Sequence, residues 1–475
     1  MIFYSVWSKR SFNREIKECL PKIRTNLKRL NTTVTMKILM QRSSAAEVIS
    51  KIGSKVKVAG FVQAIRDLGN LVFIVLRDAS GAVQIVISSD SEAFSVAKSI
   101  TRESVVEVLG FVKQEPKAPN GLEIVVDNIV VLSLAANELP IPIFARDQNK
   151  VSEHLKLNWR WLDLRNPKNR LIFEVWTHME HAFRDYLLRE GFIQIHSPKL
   201  ISAASESGSE LFELKYFDRK AYLAQSPQFY KQMAMAAGFE KVFEIGPVFR
   251  ANPSFTSRHD TEFTSYDIEI SFISSHHELM ELEEKLLQFM LEQIADKFGE
   301  AIESNFGRRL IAPSRPFPKL SLEEAKRLIL KEGLASSEGE DLSNEEEITL
   351  CKLIREKENH EFVFITDYPH SVRPFYHMRQ ESNPNLTKSF DLLWDGLEIT
   401  TGAQREHRYD ILVSQLKEKK LSEEGIKFYL EFFRYGCPPH GGFAIGPTRM
   451  LMKIFNLNNV RKVTYIYRGP NRLEP

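Results

Sequence analysis

Residues 224–271 read AQSPQFYKQMAMAAGFEKVFEIGPVFRANPSFTSRHDTEFTSYDIEIS, and they constrain the fold more than any other stretch. Two runs dense in apolar and β-branched residues, 241–251 and 261–272, flank a polar connection, 252–260, that carries Pro253, Arg258 and His259. That is the pattern of a β-hairpin with a long cationic loop. The second run alternates around Tyr266, Asp267, Ile268, Glu269 and Ile270, so a period of two sets both carboxylates on one strand face. A solvated face is the ordinary home of such a pair. Here Arg250 ends the first run while Arg258 and His259 sit on the loop, which gathers cations and anions into one small volume. Such a volume suits a substrate bearing both charges.

The chain has 475 residues, enough for two or three domains, and its 43% hydrophobic and 27% charged residues are those of an ordinary globular protein. No uncharged apolar run approaches the roughly 18 residues that a membrane span needs. Cys19, Cys351 and Cys437 are far apart and form no C-x-x-C, which indicates neither a disulfide framework nor a zinc site and fits a reducing cytoplasm. The net charge of +2 conceals an asymmetry: residues 1–35 hold eight basic side chains against Glu15 and Glu18. The body is therefore acidic on balance, and any nucleic-acid contact there must come from local patches. Residues 1–40 form a basic extension with three readings: a transit peptide, an arm gripping nucleic acid, or the product of an upstream start codon. The two glutamates weaken the first, and Met36 and Met40 just before the patterned sequence favour the last.

Residues 41–136 read as an all-β domain. Five short strands within 55–134 are separated by Gly, Asp, Asn and Ser turns, with a short helical piece near 93–100 between the third and fourth. That succession suggests an OB-fold barrel, although periodicity alone allows any small barrel. Such a surface binds single-stranded nucleic acid by stacking bases on aromatics and reading their edges. Phe73 and Gln84 would lie on adjacent strands, with Glu123 on the fourth or fifth. Taken singly, Phe73 reads as core and the other two as solvated.

A hinge spans 137–165, opening with the proline-containing linker NELPIPIFARD. Beyond it, Ile172, Val175, Trp176, Met179, Phe183, Tyr186 and Leu187 recur at helical spacing up to Gly191, and FIQIHSPKLI reads as a strand. Gln228 and Lys231, three residues apart, share one helical face. Residues 277–298 form an amphipathic scaffold helix, and 304–361 a helical insertion with a solvated acidic loop, SSEGEDLSNEEE. In SFDLLWDGLEITTGAQR, Asp391 and Glu398 sit in strand-like context before a glycine turn. Few carboxylates beside phosphates make Mg²⁺ the natural occupant, with a plain acidic strand face as the alternative. Gly441, Gly442 and Gly446 match neither G-x-G-x-x-G nor G-x-x-x-x-G-K-[ST], which argues against a Rossmann or P-loop site.

Three of these separated stretches, in order, resemble the motifs of the class II aminoacyl-tRNA synthetases. The helix from Ile172 with the strand FIQIHSPKLI resembles motif 1, GPVFRA followed by RHDTEF is similar to motif 2 of the aspartate branch, and PPHGGFAIGPTRMLMKIF resembles motif 3, while RWLDLRNP resembles the entry to the aspartate, asparagine and lysine subclass. The resemblance covers residues from about 55 to the C-terminus. It implies an α+β catalytic domain on an antiparallel sheet, residues 166–475, behind an OB-fold that holds the anticodon. It implies that Phe73, Gln84 and Glu123 contact anticodon bases; that Glu206, Gln228, Lys231, Asp267 and Arg405 bind L-aspartate; that Arg250, Arg258, His259, Phe263, Glu398 and Arg449 bind ATP; and that Glu398 and Thr401 hold Mg²⁺. Arg250, Arg258 and Arg449 are the implied catalytic residues. By the same resemblance Pro198 lies at a homodimer interface and 202–212 is a substrate-closing loop. Gln63 and Pro119 occupy the places that separate enzymes strict for tRNA-Asp from those that also charge tRNA-Asn. Proline resembles the relaxed type, and Gln63 resembles neither. The chain departs from the family at Asn252, Thr448 and Ile466-Tyr467, and Thr401 stands where serine is commoner.

The expected chemistry is activation of aspartate by ATP, then transfer to the end of tRNA. A carboxylate is already nucleophilic, so positioning and charge stabilisation suffice for the first step. Two rivals share the fold: a non-catalytic RNA-binding relative, against which the retained Arg250, Arg449 and Glu398 argue, and an enzyme making asparagine, against which the attached barrel argues. Segments like HIGH and KMSKS are missing, which excludes class I chemistry.

Overall fold

The computed structural model describes residues 40–144, 151–203, 210–253, 256–333 and 340–475. All but the last residue of the basic extension therefore lies outside the described residues. The chain divides into two units, Met1–Pro140 and Ile141–Pro475.

In the first unit, alternation of buried and exposed residues builds β1 (Lys55–Asp67), β2 (Leu71–Asp78), β3 (Gly81–Ser88), β4 (Val105–Gln114) and β5 (Leu122–Ser133). Helix α1 (Phe94–Ser99) lies between β3 and β4. The strands close into a barrel in the order β1-β2-β3-β5-β4, the five-stranded OB arrangement expected. Val58, Ile74, Ile85, Val108 and Ile124 fill it, and each such side chain contributes about 1.5–3 kcal/mol by burial.

The second unit opens with two short helices, α2 (Glu153–Asn158) and α3 (Arg160–Asp163), then α4 (Pro167–Arg189). The sequence assigned α2 and α3 to the hinge. They fold instead because Ser152 caps α2 through the Leu155 amide, and because Arg160 is buried, bonded to Asp163 Oδ2 and, at 2.7 Å, to the Thr464 carbonyl. Asn166 caps α4, with Pro167 at its first position. The strand expected at 192–201 is broken. Only β6 (Ile193–Gln194) and β7 (Leu200–Ile201) form, and they join different sheets. Pro198 between them has no backbone N–H to give a ladder.

Next come β8 (Glu213–Tyr216), β9 (Arg219–Leu223), α5 (Gln228–Ala236), β10 (Lys241–Phe249), β11 (Glu262–Ser271) and the long α6 (His277–Phe306). The insertion supplies β12 (Lys319–Ser321), α7 (Leu322–Lys331) and α8 (Asn344–Glu358). The chain ends with β13 (Phe362–Thr366), β14 (Ser389–Trp394), β15 (Glu398–Arg405), α9 (Tyr409–Glu418), α10 (Lys427–Arg434), β16 (His440–Ile445), α11 (Pro447–Ile454) and α12 (Val460–Val463). Eight strands form one sheet in the order β12-β13-β14-β15-β16-β11-β10-β6, antiparallel except at its two edge pairs. The insertion is thus more than helical: β12 pairs in parallel with β13 as an edge strand. The other sheet is β7-β9-β8.

Alternation along β11 decides where the site lies. Tyr266 and Ile268 enter the core together with Phe183 of α4 and Leu286 of α6. Ser265, Asp267 and Glu269 therefore point to the opposite face.

Candidate active site

Asp267 and Glu269, which a strand pattern alone would leave in water, are 2% and 0% exposed. Their burial is met by cations from other elements. Lys231 of α5 sits 3.0 Å from Asp267 Oδ1 and 3.4 Å from Glu269 Oε2. Arg405, the last residue of β15, donates from Nε to Glu269 Oε1 at 3.0 Å and from Nη2 to the Gly442 carbonyl at 2.9 Å. Burial works to raise the Glu269 carboxyl, but Arg405 and Lys231 outweigh it and hold it below the ordinary value. Gly442 makes the approach of β16 feasible, since a Cβ there would fall 2.0 Å from the Ile268 carbonyl and 2.3 Å from Glu269 Oε2.

Around these charges lie side chains that the sequence did not single out. His377 Nε2 contacts Arg405 Nη1 at 3.1 Å, and burial first, then Arg405, pushes this imidazole well below its usual range, so it is neutral. Gln228 bonds Gln232 Oε1 at 2.8 Å, Tyr429 donates to the same oxygen at 3.0 Å, and Gln232 Nε2 meets His440 Nε2 at 2.9 Å. Ser265 donates to Asp267 Oδ2 at 2.6 Å. Ser265 was missed, although its spacing of two from Asp267 puts it on the same strand face. For His377, Gln232, Tyr429 and His440 no local pattern exists, since they reach the network only through folding.

Ser265 also lines a cavity of about 180 Å³, whose wall includes Arg250, Arg258, His259, Phe263, Glu398, Thr401 and Arg449. Seven candidates from the sequence are thereby brought to one space. Gln228, Lys231, Asp267 and Arg405 do not line it; they form the buried network behind Ser265. Glu206 lies outside the described residues, as do residues 204–209 of the loop that holds it.

Within the cavity the cations are arranged by neighbours. Arg449 of α11 donates from Nη1 to the Glu398 carbonyl at 2.7 Å and lies 3.3 Å from Glu398 Oε1. Arg250 stands 5.5 Å from the Phe263 ring centroid, within cation–π reach. Arg258 is paired with Glu347 Oε2 at 2.7 Å and with the Gly396 carbonyl at 3.0 Å. The acidic run of the insertion is therefore not simply solvated. Burial pushes the Glu347 carboxyl up to about 7, against the pull of Arg258. His259 Nδ1 lies 2.6 Å from Thr256 Oγ1, and burial, then Arg449, lower its pKa. Asn252 and Thr448, two departures from the family pattern, line the same cavity, and the buried Tyr467 donates to the His259 carbonyl at 3.3 Å.

Thr401 Oγ1 donates to Glu398 Oε1 at 3.1 Å. Burial tends to raise the Glu398 carboxyl, yet Arg449 and Arg373 keep it below the ordinary value, hence ionised. Asp391 is the register partner of Thr401; its Oδ2 is held by Arg373 at 2.6 Å, while Oδ1 has no hydrogen-bond partner among the described residues. Oxygen donors of this kind fit a hard divalent cation bound together with phosphates. No cluster of three or more His, Cys, Asp or Glu side chains suited to a metal occurs among the described residues.

In the first unit, Phe73, Gln84 and Glu123 line one groove with Arg66, Lys113 and Lys117. Gln84 Nε2 donates to Glu123 Oε2 at 3.0 Å, across the β3-β5 pair.

Residues 152–467 match the family described as tRNA synthetases class II (D, K and N), and residues 56–132 match the OB-fold nucleic acid binding domain. An aspartate–tRNA(Asp) ligase of Pyrococcus abyssi is 41% identical over 92% of this chain and all of its own length. An aspartate–tRNA(Asp/Asn) ligase of Archaeoglobus fulgidus is 43% identical over 89% of this chain and 97% of its own. Among solved structures, the asparaginyl-tRNA synthetase of Pyrococcus horikoshii complexed with asparaginyl-adenylate superposes with a TM-score of 0.85 at 32% identity, covering 92% of this chain and 100% of that one. The aspartyl-tRNA synthetase of Entamoeba histolytica gives 0.81 at 33%, covering 92% and 93%. With 89–92% of its length shared with such proteins and the cation-lined cavity on an antiparallel sheet, this chain belongs to the class II aminoacyl-tRNA synthetases of the aspartate, asparagine and lysine group.

Proposed function

We propose that this chain is an aspartate–tRNA ligase, which activates L-aspartate with ATP and passes it to the 3′ end of tRNA-Asp. The observation that carries this reading is the convergence of Arg250, Arg258 and Arg449, from three separated segments, on a cavity that also holds the ionised Glu398. In the first step the substrate α-carboxylate attacks the α-phosphorus in line and pyrophosphate leaves. Arg250 would hold the α-phosphate, and Arg449 and Arg258 the outer ones, the latter exchanging its Glu347 partner. Neutral His259 would donate to a phosphate oxygen, and the base would lie on Phe263. Glu398 and Thr401 would hold Mg²⁺, which when bound neutralises phosphate charge. In the second step a hydroxyl of the terminal adenosine attacks the activated carbonyl and AMP leaves.

The choice of amino acid rests on the network behind Ser265. Arg405 would grip the side-chain carboxylate and Asp267, with Glu206, the amino group. The Arg405 guanidinium would pair with the substrate carboxylate in a charge-assisted contact that an asparagine amide would forgo. The groove of Phe73, Gln84 and Glu123 would take the anticodon. Exposed Leu188, Ile193 and Leu200 flanking Pro198 support a homodimer. The unpaired Cys351 and Cys437 suit the cytoplasm.

Replacing Arg250 with Ala is expected to abolish aspartate-dependent pyrophosphate exchange; near-normal exchange would overturn the assignment. Charging of tRNA-Asn as well is favoured by Pro119, on the loop before β5. Aminoacylation of separate tRNA-Asp and tRNA-Asn transcripts is expected to show both charged, and a chain that ignores tRNA-Asn would be of the strict type.

A further inference from the structure

Acceptors from three segments fix the Arg405 guanidinium. Glu269 of β11 takes Nε at 3.0 Å, the Gly442 carbonyl of β16 takes Nη2 at 2.9 Å, and Nε2 of His377 takes Nη1 at 3.1 Å. His377 lies on the connection between β13 and β14, which runs beside the end of β15. There the Met378 amide donates to the Gln404 carbonyl at 3.0 Å and the Glu406 amide to the Tyr376 carbonyl at 2.9 Å, while His377 and Arg405 stand opposite each other in an antiparallel bridge. Residues paired in this way bring their side chains to one face. Gln415 of α9 donates to the His377 carbonyl at 3.1 Å and holds the backbone in place. Arginine only donates, so His377 Nε2 is the acceptor and the imidazole is the neutral form with its hydrogen on Nδ1; burial, then Arg405, depress its pKa in agreement. The acceptors differ in charge. Glu269 carries one, which Lys231 at 3.4 Å shares, whereas the Gly442 carbonyl and His377 carry none. A neutral acceptor directs a guanidinium without cancelling its charge, and a second carboxylate in the same place would pair with it.

We propose that His377 is a positioning residue for amino-acid selection: as a neutral acceptor on Nη1 it aims the Arg405 guanidinium and preserves its charge for the side-chain carboxylate of the substrate. The inference rests on the reading of Arg405 as the group that grips that carboxylate. His377 acts through Arg405 and is not part of the wall of the cavity read as the ATP site. Its influence therefore falls on aspartate and leaves ATP alone.

The test is aspartate-dependent pyrophosphate exchange by the full chain, unmutated and as His377→Gln, His377→Glu, His377→Leu and Arg405→Lys, each checked by thermal melting. In His377→Gln a neutral oxygen replaces Nε2, and the KM for aspartate is expected to stay close to that of the unmutated protein. In His377→Glu, the same shape with a charge, it should rise about tenfold or more, with the KM for ATP unchanged. In His377→Leu it should rise because the acceptor is gone. A KM for aspartate that is equal in the glutamine and glutamate variants, or in the glutamine and leucine variants, overturns the inference, so it stays refutable if one of the latter two does not fold. A KM for ATP that climbs in step with that for aspartate overturns it as well. Arg405→Lys keeps the charge but not the fork, and it separates the two readings. An unchanged KM for aspartate there would remove Arg405 as the partner of the carboxylate, and this inference with it. A raised KM there beside unaffected His377 variants would overturn the inference alone and leave the proposed function standing.

Discussion

Lys231 stands between two carboxylates in a place with almost no water, and its value to the fold follows from that position. Removing one partner of a buried ion pair leaves the other charges desolvated, which costs about 3–5 kcal/mol. Lys231→Met, which keeps the length and discards the charge, is therefore expected to lower the unfolding free energy by roughly that amount in a denaturant titration. A loss below 1 kcal/mol would mean that Arg405 alone compensates Glu269. That Asp267 and Glu269 share a face could be read from their spacing. That the face is dry could not, because the ammonium and guanidinium that make it tolerable come from positions 36 and 136 residues away. Arg258 makes the same point from the cationic side. Its loop was legible as a site, but its partner Glu347, 89 residues on, was hidden in a run that reads as a solvated acidic loop.

At the scale of elements, α6 was legible as an amphipathic scaffold, yet it carries a charge on its buried side. Glu283 is 0% exposed, with neither carboxyl oxygen partnered among the described residues, and burial drives its carboxyl up to about 8. The folded state thus keeps a proton between about pH 4.5 and 8 that the unfolded chain releases, so stability falls as pH rises through that window. Glu283→Gln, neutral throughout, is expected to flatten this dependence and to raise stability at pH 9 by a few kcal/mol, read from melting between pH 5 and 9. A parallel pH profile for the two proteins would contradict it. The elements best anticipated were those whose local pattern and tertiary role agree, such as the β10-β11 hairpin and the barrel strands. The strand expected at 192–201 failed where Pro198 interrupts it, and β12 was missed because three residues of a parallel edge carry no period of their own.

Over the whole molecule, the groove of Phe73, Gln84 and Glu123 belongs to one unit and the cation-lined cavity to the other. Phe73→Ala is therefore expected to lower kcat/KM for tRNA charging about 5- to 150-fold, from the roughly 1–3 kcal/mol that a stacked base contributes, with pyrophosphate exchange unchanged. A matching fall in exchange would show the substitution acting through the fold.

What the sequence alone determined is the set of parts: a barrel from strand alternation, an antiparallel hairpin with a cationic loop, and the arginines, carboxylates and hydroxyl suited to a phosphate-bearing substrate. Each of these follows from chain-local periodicity or from side-chain chemistry. The tertiary structure alone decided which of those groups face the cavity and which are buried behind Ser265, where Arg258 is moored, and that His377 meets Arg405. Burial and ion pairing are long-range properties, set by which surfaces meet when eight strands align, and no window of neighbouring residues contains them.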